Sequence, residues 1–170
     1  IRRRLFLKNY RWRFNESNSS RRQKVGHRQK NTLMFSLKKD MRFFKETTTG
    51  KVVCMGYNTL LSFPNGKPLK NRVNIVLCPE GVERDDLTCV HSLEELKTAL
   101  KSYADNDVYI IGGATFYKTM LPYCSHVLVT KVNADGGAEV FFENLDENEN
   151  FVLESESEPI DDNGYTVKFC

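Results

Sequence analysis

The feature of this sequence that most constrains its fold is an alternation of short apolar runs with segments of helical periodicity. Four apolar runs, each of four to six residues, predict strands at 52–55, 73–78, 108–111 and 127–132. Helical patterns precede or separate them, at 37–44, 58–63, 92–104 and 115–121. Because parallel strands need long crossover connections, this alternation favours an α/β fold with a central, mostly parallel twisted sheet.

The ends of this pattern complete the predicted fold. Residues 151–158 and 165–170 are expected to form an antiparallel pair at the C-terminal edge of the sheet. Ser36 is a candidate N-cap of the first helix, and Ser92 with Glu95 has the spacing of a capping box. With 170 residues, 40% hydrophobic, and no run near the roughly 20 apolar residues of a membrane span, the chain suits one helix-flanked domain.

Charge is distributed unevenly along the chain. The net charge is only +3, but residues 1–30 hold 11 Lys and Arg against one acidic residue, Glu16. Residues 31–170 hold 14 basic residues against 21 acidic ones. This asymmetry predicts a boundary between a basic segment and an acidic domain. One interpretation of the segment is a basic arm that binds nucleic acid, in which interleaved aromatic side chains would stack on bases.

The cysteine and histidine residues argue against several classes of chemistry. The five cysteines are odd in number and have no CxxC spacing, which favours buried reduced thiols in a reducing cytoplasm. His27, His91 and His126 stand too far apart for metal-ligand spacing, so no metal site is expected. The sequence has no GxSxG motif and no Cys and His nucleophile pair, which disfavours a hydrolase.

Asp40 is a carboxylate on the apolar stripe of the first predicted helix, beside Leu37 and Phe44. An unpaired carboxylate loses free energy on burial, so a polar group should meet it there. In one interpretation the helix is rotated so that Asp40 lies at the boundary, solvated or paired with Lys38 or Lys39. In the other, Asp40 is a buried acid that grips an amidine-like heterocycle and supplies a proton. Spacing alone does not choose between them.

Glycines follow two of the predicted strands. Gly112 and Gly113 stand between the third strand and a helix, and Gly56 stands at a similar junction. Glycine lets a ligand approach the backbone, and a helix N-terminus attracts phosphate. Because ligands bind at the carboxyl ends of strands in α/β sheets, the two junctions indicate either structural turns or a long ligand with more than one phosphate. Arg72, before the second strand, is a candidate clamp for a carboxylate or a solvated charge.

Four segments resemble dihydrofolate reductase in their order and spacing, at 37–51, 53–59, 68–77 and 110–117. The resemblance covers about residues 31–170. It implies a cytoplasmic enzyme of one-carbon metabolism that uses NADPH to reduce 7,8-dihydrofolate, with hydride added at C6 and a proton at N5. It also implies a monomer with a small-molecule substrate and no nucleic-acid or membrane partner. A related pterin or pyrimidine reductase is the alternative within this class.

The resemblance implies roles for residues on the substrate side. Asp40 would be the buried acid that binds the amino-pyrimidine edge of the pterin and supports protonation of N5. Thr130 would assist Asp40 through a hydroxyl hydrogen bond, and Arg72 would take the α-carboxylate of the glutamate tail. The other substrate contacts that the resemblance implies are Met41, Phe44, Phe63, Leu69, Ile111 and Tyr117.

The resemblance also implies a set of cofactor contacts. Gly112 and Gly113, which the family joins by a cis peptide, would admit the phosphates, and Tyr117 would also lie near the nicotinamide. Tyr57 replaces a basic residue that is common in the family, and Phe35 stands where the family often has Trp. The other implied cofactor contacts are Gly56, Asn58, Thr59, Leu77, Cys78, His91, Ala114, Thr115 and Phe116.

Residues 1–30 lack the apolar first strand and the loop over the nicotinamide with which the family opens. Permitted codons for residues 15–30, read one base later, encode MNLIVAVDKKWGIGK, which supplies both. We therefore expect residues 15–30 to be an out-of-frame translation and residues 1–14 to be translated upstream sequence. The chain as written would combine a disordered or mistranslated segment with a domain over 31–170 that lacks its first strand, and its activity would be impaired.

Overall fold

The computed structural model describes the backbone of residues 3–10 together with residues 37–132, 145 and 148–170. Short 3-10 turns follow several of the helices and loops within these ranges. The strands are β1 (Arg3–Tyr10), β2 (Val52–Gly56), β3 (Val73–Leu77), β4 (Thr88–Val90), β5 (Val108–Gly112), β6 (Cys124–Val132), β7 (Ile160–Asp162) and β8 (Tyr165–Phe169). The helices are α1 (Lys38–Thr48), α2 (Tyr57–Ser62), α3 (Leu93–Leu100) and α4 (Ala114–Met120).

The described strands form one sheet of eight, in the order β4-β3-β2-β5-β1-β6-β8-β7. Every neighbouring pair from β4 to β6 is parallel, whereas β8 runs antiparallel to both β6 and β7. This confirms the predicted fold class, an α/β domain with a mostly parallel sheet and an antiparallel C-terminal edge. The carboxyl ends of β2, β3 and β5 lie side by side, since Gly56 pairs with Leu77 and Met55 pairs with Gly112.

Helices cover both faces of the parallel part of the sheet. Alternate residues of β2 point to opposite faces, so Cys54 and Val53 belong to two different apolar clusters. The cluster around Cys54 packs against α3 and α4, and the cluster around Val53 packs against α1 and α2. All five residues of β5 are buried, as expected for a central strand that is covered on both sides.

Local sequence signals account for most of the helix ends. The predicted cap of α3 is present, because the Ser92 hydroxyl accepts a hydrogen bond from the Glu95 N–H at 3.1 Å. The predicted helix over 92–104 is shorter in the structure, because it ends at Leu100 and the backbone at Ala104 is already extended, with ψ 140°. Leu37 occupies the N-cap position of α1 and its side chain makes no capping hydrogen bond; Ser36, the predicted cap, lies outside the described residues.

The C-terminal edge differs from the prediction. Residues 151–158 form no strand, and β8 pairs instead with β6 and with the short β7. The hairpin between β7 and β8 turns at Asn163 and Gly164, which both have positive φ, 58° and 83°. Two positive φ values are typical of a type I′ turn, for which Asn-Gly is the preferred pair. The Asn-Gly pair was therefore the stronger signal, and the Glu- and Ser-rich stretch before it stays exposed, with Val152 at 90%.

Two further strands were not predicted at their observed positions. β4 was missed because it has only three residues and only Val90 of them is buried.

β1, from the basic segment, occupies the central position between β5 and β6, with Leu5 opposite Ile110 on one side and Val127 on the other. The position expected to lack a strand is therefore filled by residues 3–10. The expected out-of-frame segment at 15–30 lies outside the described residues. Within the described ranges, no helix has the length and apolarity to cross a membrane.

Candidate active site

Asp40 lies in the first turn of α1 and is fully buried, with 0% of its surface exposed. The hydroxyl of Thr130, on β6, donates a hydrogen bond of 2.7 Å to Asp40 Oδ1, as expected. Lys38 and Lys39 are exposed. The interpretation of Asp40 as a solvated boundary residue is therefore wrong. This hydrogen bond from β6 compensates for part of the free-energy cost of removing the Asp40 carboxylate from water.

A second carboxylate fixes the start of α1. Asp162, on β7, is 2% exposed and accepts hydrogen bonds from three successive backbone N–H groups at 2.8–3.0 Å. The donors are Lys38, Lys39 and Asp40 itself. The first N–H groups of a helix have no partner within it, and a carboxylate at this end also interacts favourably with the helix dipole. Asp162 therefore supplies the N-terminal cap that the side chain of Leu37 does not provide, and it holds the backbone that carries Asp40.

Tyr117 lies within electrostatic range of Asp40. Its side chain belongs to α4 and is 9% exposed. Burial, and secondly the negative charge of Asp40, raises the pKa of the Tyr117 hydroxyl above its ordinary value. The hydroxyl therefore stays protonated and able to donate a hydrogen bond at neutral pH. A Cβ built on Gly112 would lie 3.8 Å from this oxygen, so the Tyr117 hydroxyl lies next to the glycine junction.

The two glycine junctions meet at the ends of β2 and β5. The Gly112–Gly113 peptide is cis, as the resemblance implies, and Gly112 has a φ of 136°, which L side chains rarely adopt. A Cβ on Gly113 would lie 3.1 Å from Thr59 Oγ1, and one on Gly56 would lie 3.8 Å from Phe116 Cβ. Thr59 on α2 therefore packs against the backbone of Gly113, and Phe116 on α4 packs against the backbone of Gly56.

Four residues expected along the substrate share one apolar cluster. This cluster contains the buried Ile111 of β5 and the half-buried side chains of Phe44, Phe63 and Leu69. They come from α1, β5 and the loops after α2, so the fold brings distant positions together. Met41, expected on the same helix face, is 50% exposed and does not belong to this cluster. We call Phe44, Phe63, Leu69 and Ile111 the apolar wall. It lies on the same side of the sheet as α1, which carries Asp40.

Arg72 is held against the end of α1. Its Nε donates to Thr48 Oγ1 at 2.8 Å, and its guanidinium also donates to the backbone carbonyls of Lys70 and Lys45. The guanidinium lies 5.7 Å from the centre of the Phe44 ring, and partial burial lowers its pKa below the ordinary value. It is therefore fixed in one orientation beside a residue of the apolar wall. This position is compatible with the predicted carboxylate clamp and excludes a freely solvated side chain.

Asn74 shapes the loop before β3 and was not predicted. Its amide accepts from the Leu69 N–H at 2.9 Å and donates to the carbonyls of Leu69 and Arg72 at 2.8 and 3.1 Å. At 6% exposure it is a buried polar side chain inside an apolar strand. A buried Asn needs partners for both ends of its amide, so Asn74 in the run Val-Asn-Ile-Val was the available signal.

The expected cofactor contacts lie around the ends of β2, β3, β4 and β5. Cys78 follows β3 and is 3% exposed, while His91 follows β4 and is partly exposed. The His91 ring contacts the Pro79 carbonyl at 3.1 Å and the Glu83 carboxylate at 3.0 Å, and this carboxylate raises the pKa of His91. The structure leaves Asn58, Ala114 and Thr115 exposed, Gly56, Thr59, Leu77 and Gly113 half-buried, and Gly112 and Phe116 buried.

The metal and cysteine chemistry can be stated for the described residues. Among them, no group of three His, Cys, Asp or Glu side chains is arranged to hold a metal ion. All five cysteines are described and none is in a disulfide. Cys54 and Cys78 are buried as expected, whereas the remaining three are only partly buried.

Comparison with known proteins adds an independent finding. The sequence model of the dihydrofolate reductase family matches residues 19–170. This match begins within the basic segment, at residue 19, whereas the resemblance covers residues from about 31 onward. It spans all of the candidate site, from Asp40 on α1 to Asp162 on β7.

The chain is also similar to individual dihydrofolate reductases. It is 31% identical to that of Bacillus subtilis, and the alignment covers 82% of each chain. It is 31% identical to that of Schistosoma mansoni, over 81% of this chain and 84% of the relative. For Haemophilus influenzae the identity is 30%, over 68% of this chain and 69% of the relative.

Proposed function

The chain belongs to the dihydrofolate reductase family, and from that premise we propose that Asp40 is the acid of its reaction, the reduction of dihydrofolate with a nicotinamide cofactor. The observation that carries the proposal is that Asp40 is fully buried, accepts a hydrogen bond from Thr130, and lies within electrostatic range of Tyr117, whose hydroxyl is next to Gly112. A buried, hydrogen-bonded carboxylate can accept the N–H groups of an amino-pyrimidine edge and hold that ring in one orientation.

Asp40 also has the chemistry that the proton step requires. Protonation at N5 makes the adjacent C6 more electrophilic, so an acid beside the pterin assists hydride transfer to that carbon. Burial strengthens the electrostatic interaction between the carboxylate and a cationic ring, because the local dielectric is lower than that of water. Thr130 holds the Asp40 carboxylate and Asp162 accepts from the Asp40 backbone N–H, and neither contact involves substrate. Asp40 thus binds the ring and supports its protonation.

We propose NADPH as the cofactor, bound along the carboxyl ends of β2, β3 and β5. Gly112 and Gly113 have no side chain and Gly113 is only half-buried, so the backbone at this junction would allow the close approach of phosphate groups. When bound, the reduced nicotinamide supplies a hydride. Ala114 and Thr115 would offer backbone N–H groups behind the glycines, and the protonated Tyr117 hydroxyl would lie near the nicotinamide. His91, whose pKa the Glu83 carboxylate raises, would lie near the adenosine half of the cofactor.

Arg72 completes the substrate side of the proposal. Three of its N–H groups are used in contacts with Thr48, Lys70 and Lys45. A guanidinium has five donors, so two remain for the α-carboxylate of the glutamate tail. Phe44, Phe63, Leu69 and Ile111 would contact the rings of the substrate between Arg72 and Asp40. Met41, which is half exposed, would be covered by bound substrate.

Steady-state kinetics with the Asp40→Asn variant test the proposal. Asparagine keeps the size and the Thr130 contact but removes the acid, so kcat/KM with dihydrofolate and NADPH should fall by about 10² to 10⁴. Glu46→Gln, an exposed carboxylate on the same helix, is the matched control and should leave the rate unchanged. Equal rates for Asp40→Asn and the unsubstituted chain would overturn the role of Asp40.

Cofactor choice needs its own experiment because of Tyr57. Initial rates with NADPH and NADH, each at saturating dihydrofolate, compare the two nicotinamides directly. NADPH should give the higher kcat/KM if the 2′-phosphate finds a cationic partner such as His91. A preference for NADH would overturn the assignment of NADPH and leave the reductase activity intact.

The N-terminal segment supplies a further test. We propose that residues 15–30 are an out-of-frame translation of the family's first strand and loop and that the loss of these native residues lowers activity. A chain in which residues 1–30 are exchanged for MNLIVAVDKKWGIGK should have a higher kcat, because the loop would shield the hydride-transfer step from water. Equal kcat values for the two chains would show that the strand formed by residues 3–10 serves as well as the one it replaces.

We also propose a cytoplasmic monomer that binds no nucleic acid. An acidic domain with local cationic groups for its anionic ligands supports this assignment, and a mass measurement in solution checks the oligomeric state. The competing function, RNA binding by the basic segment, predicts salt-dependent binding that is lost when residues 1–30 are removed. A pterin or pyrimidine reductase would instead show a higher kcat/KM with those substrates than with dihydrofolate.

A further inference from the structure

Two cysteines at neighbouring strand ends bring their sulfur atoms together. Cys78 directly follows β3, Cys89 is the middle residue of β4, and their Sγ atoms are 2.7 Å apart. The strands pair in parallel, with Val76 opposite Cys89 and the Cys78 N–H donating to the Val90 carbonyl at 2.8 Å. A disulfide bond is about 2.05 Å long. The two sulfurs therefore need to move by only a fraction of an ångström to reach bonding distance.

The two thiols differ in how a small molecule can reach them. Cys78 is 3% exposed, whereas Cys89 is partly exposed. Burial, and secondly its contact with Cys89, raises the pKa of the Cys78 thiol to about 12, with a smaller contribution from Glu83. Arg84 acts in the opposite direction. At neutral pH Cys78 is therefore a protonated thiol. Because Cys89 is the more exposed of the two, it is the sulfur that an external oxidant can reach.

We propose that Cys78 and Cys89 are a site of reversible oxidation, at which a small-molecule disulfide converts the two thiols into an intramolecular disulfide. The geometry carries the proposal, because the two Sγ atoms are 2.7 Å apart and the backbone of Cys78, directly after β3, is hydrogen-bonded to Val90 of β4. In a reducing compartment such a bond is transient and redox-dependent rather than structural.

The chemistry proceeds in two exchange steps. The thiolate of Cys89 attacks one sulfur of the external disulfide, whose S–S bond breaks, and one thiol leaves with a proton from solvent. Cys78 then loses its proton to solvent and attacks the Cys89 sulfur, which releases the second thiol. Overall, two protein thiols are oxidised to one disulfide while one external disulfide is reduced to two thiols. A dithiol reductant reverses both steps.

The position of the pair gives the oxidation a consequence that depends on the proposed function. Cys78 and His91 are both expected cofactor contacts, and the disulfide would close the loop between β3 and β4 at that point. This loop is tied to the rest of the chain through Arg84, which donates to the Gly66 carbonyl at 2.7 Å. We expect bound NADPH to slow the oxidation and the oxidised protein to have a raised KM for NADPH.

Peptide mapping of the intact protein tests the site without any substitution. The reduced 170-residue chain is incubated with glutathione disulfide, remaining thiols are alkylated, and the peptides are identified by mass spectrometry. The expected product links the peptides of Cys78 and Cys89 with the loss of two hydrogens and returns to two thiols with dithiothreitol. A lasting glutathione adduct on Cys89, a bridge to another cysteine, or no reaction at either thiol would overturn the proposal.

Variants identify the order of the steps. Cys78→Ala, which keeps an apolar side chain at the buried position, should stop the reaction at a glutathione adduct on Cys89. Cys89→Ser should leave Cys78 unmodified, and Cys170→Ser, a partly exposed cysteine elsewhere, should not change the yield of the bridge. Oxidation at the same rate with and without saturating NADPH would contradict only the cofactor assignment, because the mapped disulfide stands independently of it.

Discussion

The two sides of the candidate site are held by contacts of different range along the chain. The glycine junctions of the cofactor side are strand-to-helix turns, in which Gly56 directly precedes α2 and Gly113 directly precedes α4. Asp40, on the substrate side, depends on Thr130 and Asp162, which are 90 and 122 residues away. Both of these partners belong to the C-terminal edge of the sheet, where β6, β8 and β7 run antiparallel.

This difference shows where the site is sensitive to change. A local turn retains its geometry as long as its own few residues are intact. The position of Asp40 requires that the final hairpin is folded, because Asp162 binds α1 only from β7. We therefore expect substitutions in the C-terminal hairpin to affect Asp40 more than they affect the glycine junctions.

The largest effect is expected for Asp162→Ala. It leaves three N–H groups of α1 without their acceptor and should lower the free energy of unfolding by about 3 kcal/mol, the loss of a helix cap plus unsatisfied buried donors. kcat should fall as well, because the first turn of α1 carries Asp40. Urea denaturation and steady-state kinetics measure the two effects.

Two further variants isolate the cause of this loss. Asp162→Asn keeps one acceptor oxygen and should lose less stability than Asp162→Ala, while Asp161→Ala, the exposed neighbour, should change neither quantity. If Asp161→Ala is as damaging as Asp162→Ala, the hairpin acts through its strand pairing and the capping carboxylate has no special part.

A smaller effect is expected on the cofactor side from Gly113→Ala. The added Cβ would lie 3.1 Å from Thr59 Oγ1, and such crowding in a packed position costs about 1 to 3 kcal/mol. Gly113 has a φ of −89°, a value that alanine also adopts. We expect weaker NADPH binding by titration and a lower midpoint of unfolding.

A double-mutant cycle with Thr59→Ala provides the control. Removing the Thr59 hydroxyl should return part of the lost stability, with a coupling of about 1 kcal/mol. Gly56→Ala is the matched comparison, because its Cβ would be at an ordinary 3.8 Å from Phe116 Cβ and should be less destabilising. Additive losses in the cycle would mean that Thr59 does not limit the space at Gly113.

Thr130→Val should have the next smaller effect. Valine has nearly the same shape but no hydroxyl, so Asp40 loses the donor at 2.7 Å and the free energy of unfolding should fall by about 1 to 2 kcal/mol. Thr130→Ser keeps the hydroxyl and should retain most of the kcat that Thr130→Val loses. Equal kcat values for the valine and serine variants would show that this hydrogen bond does not orient Asp40 for the reaction.

The same contrast in range explains how much could be predicted from the sequence. β2, β3, β5 and β6 were predicted because each contains a continuous apolar run, which is typical of strands in a sheet covered by helices. The glycine junctions were recognised because their residues are contiguous. The capping role of Asp162 could not be predicted, because the three N–H groups that it binds are more than 120 residues earlier in the chain. The Asn-Gly pair predicts where the β7–β8 hairpin turns. The sequence pattern does not predict which helix the hairpin contacts in the folded protein.

The smallest expected effect tests the most exposed contact of the cofactor side. The Glu83 carboxylate raises the pKa of His91, and the ring nitrogens face both that carboxylate and the Pro79 carbonyl, which an imidazolium satisfies by donating to each. Glu83→Gln should lower the pKa of His91, as NMR titration would show, while Glu80→Gln should not. A raised pKa in the folded state stabilises below the unfolded pKa of about 6.5 and loses this effect as pH rises through the folded pKa. The stability difference between the Glu83→Gln variant and the unsubstituted chain should therefore be larger near pH 5.5 than near pH 8, and a difference that does not change with pH would mean that the contact contributes nothing through the charge of His91.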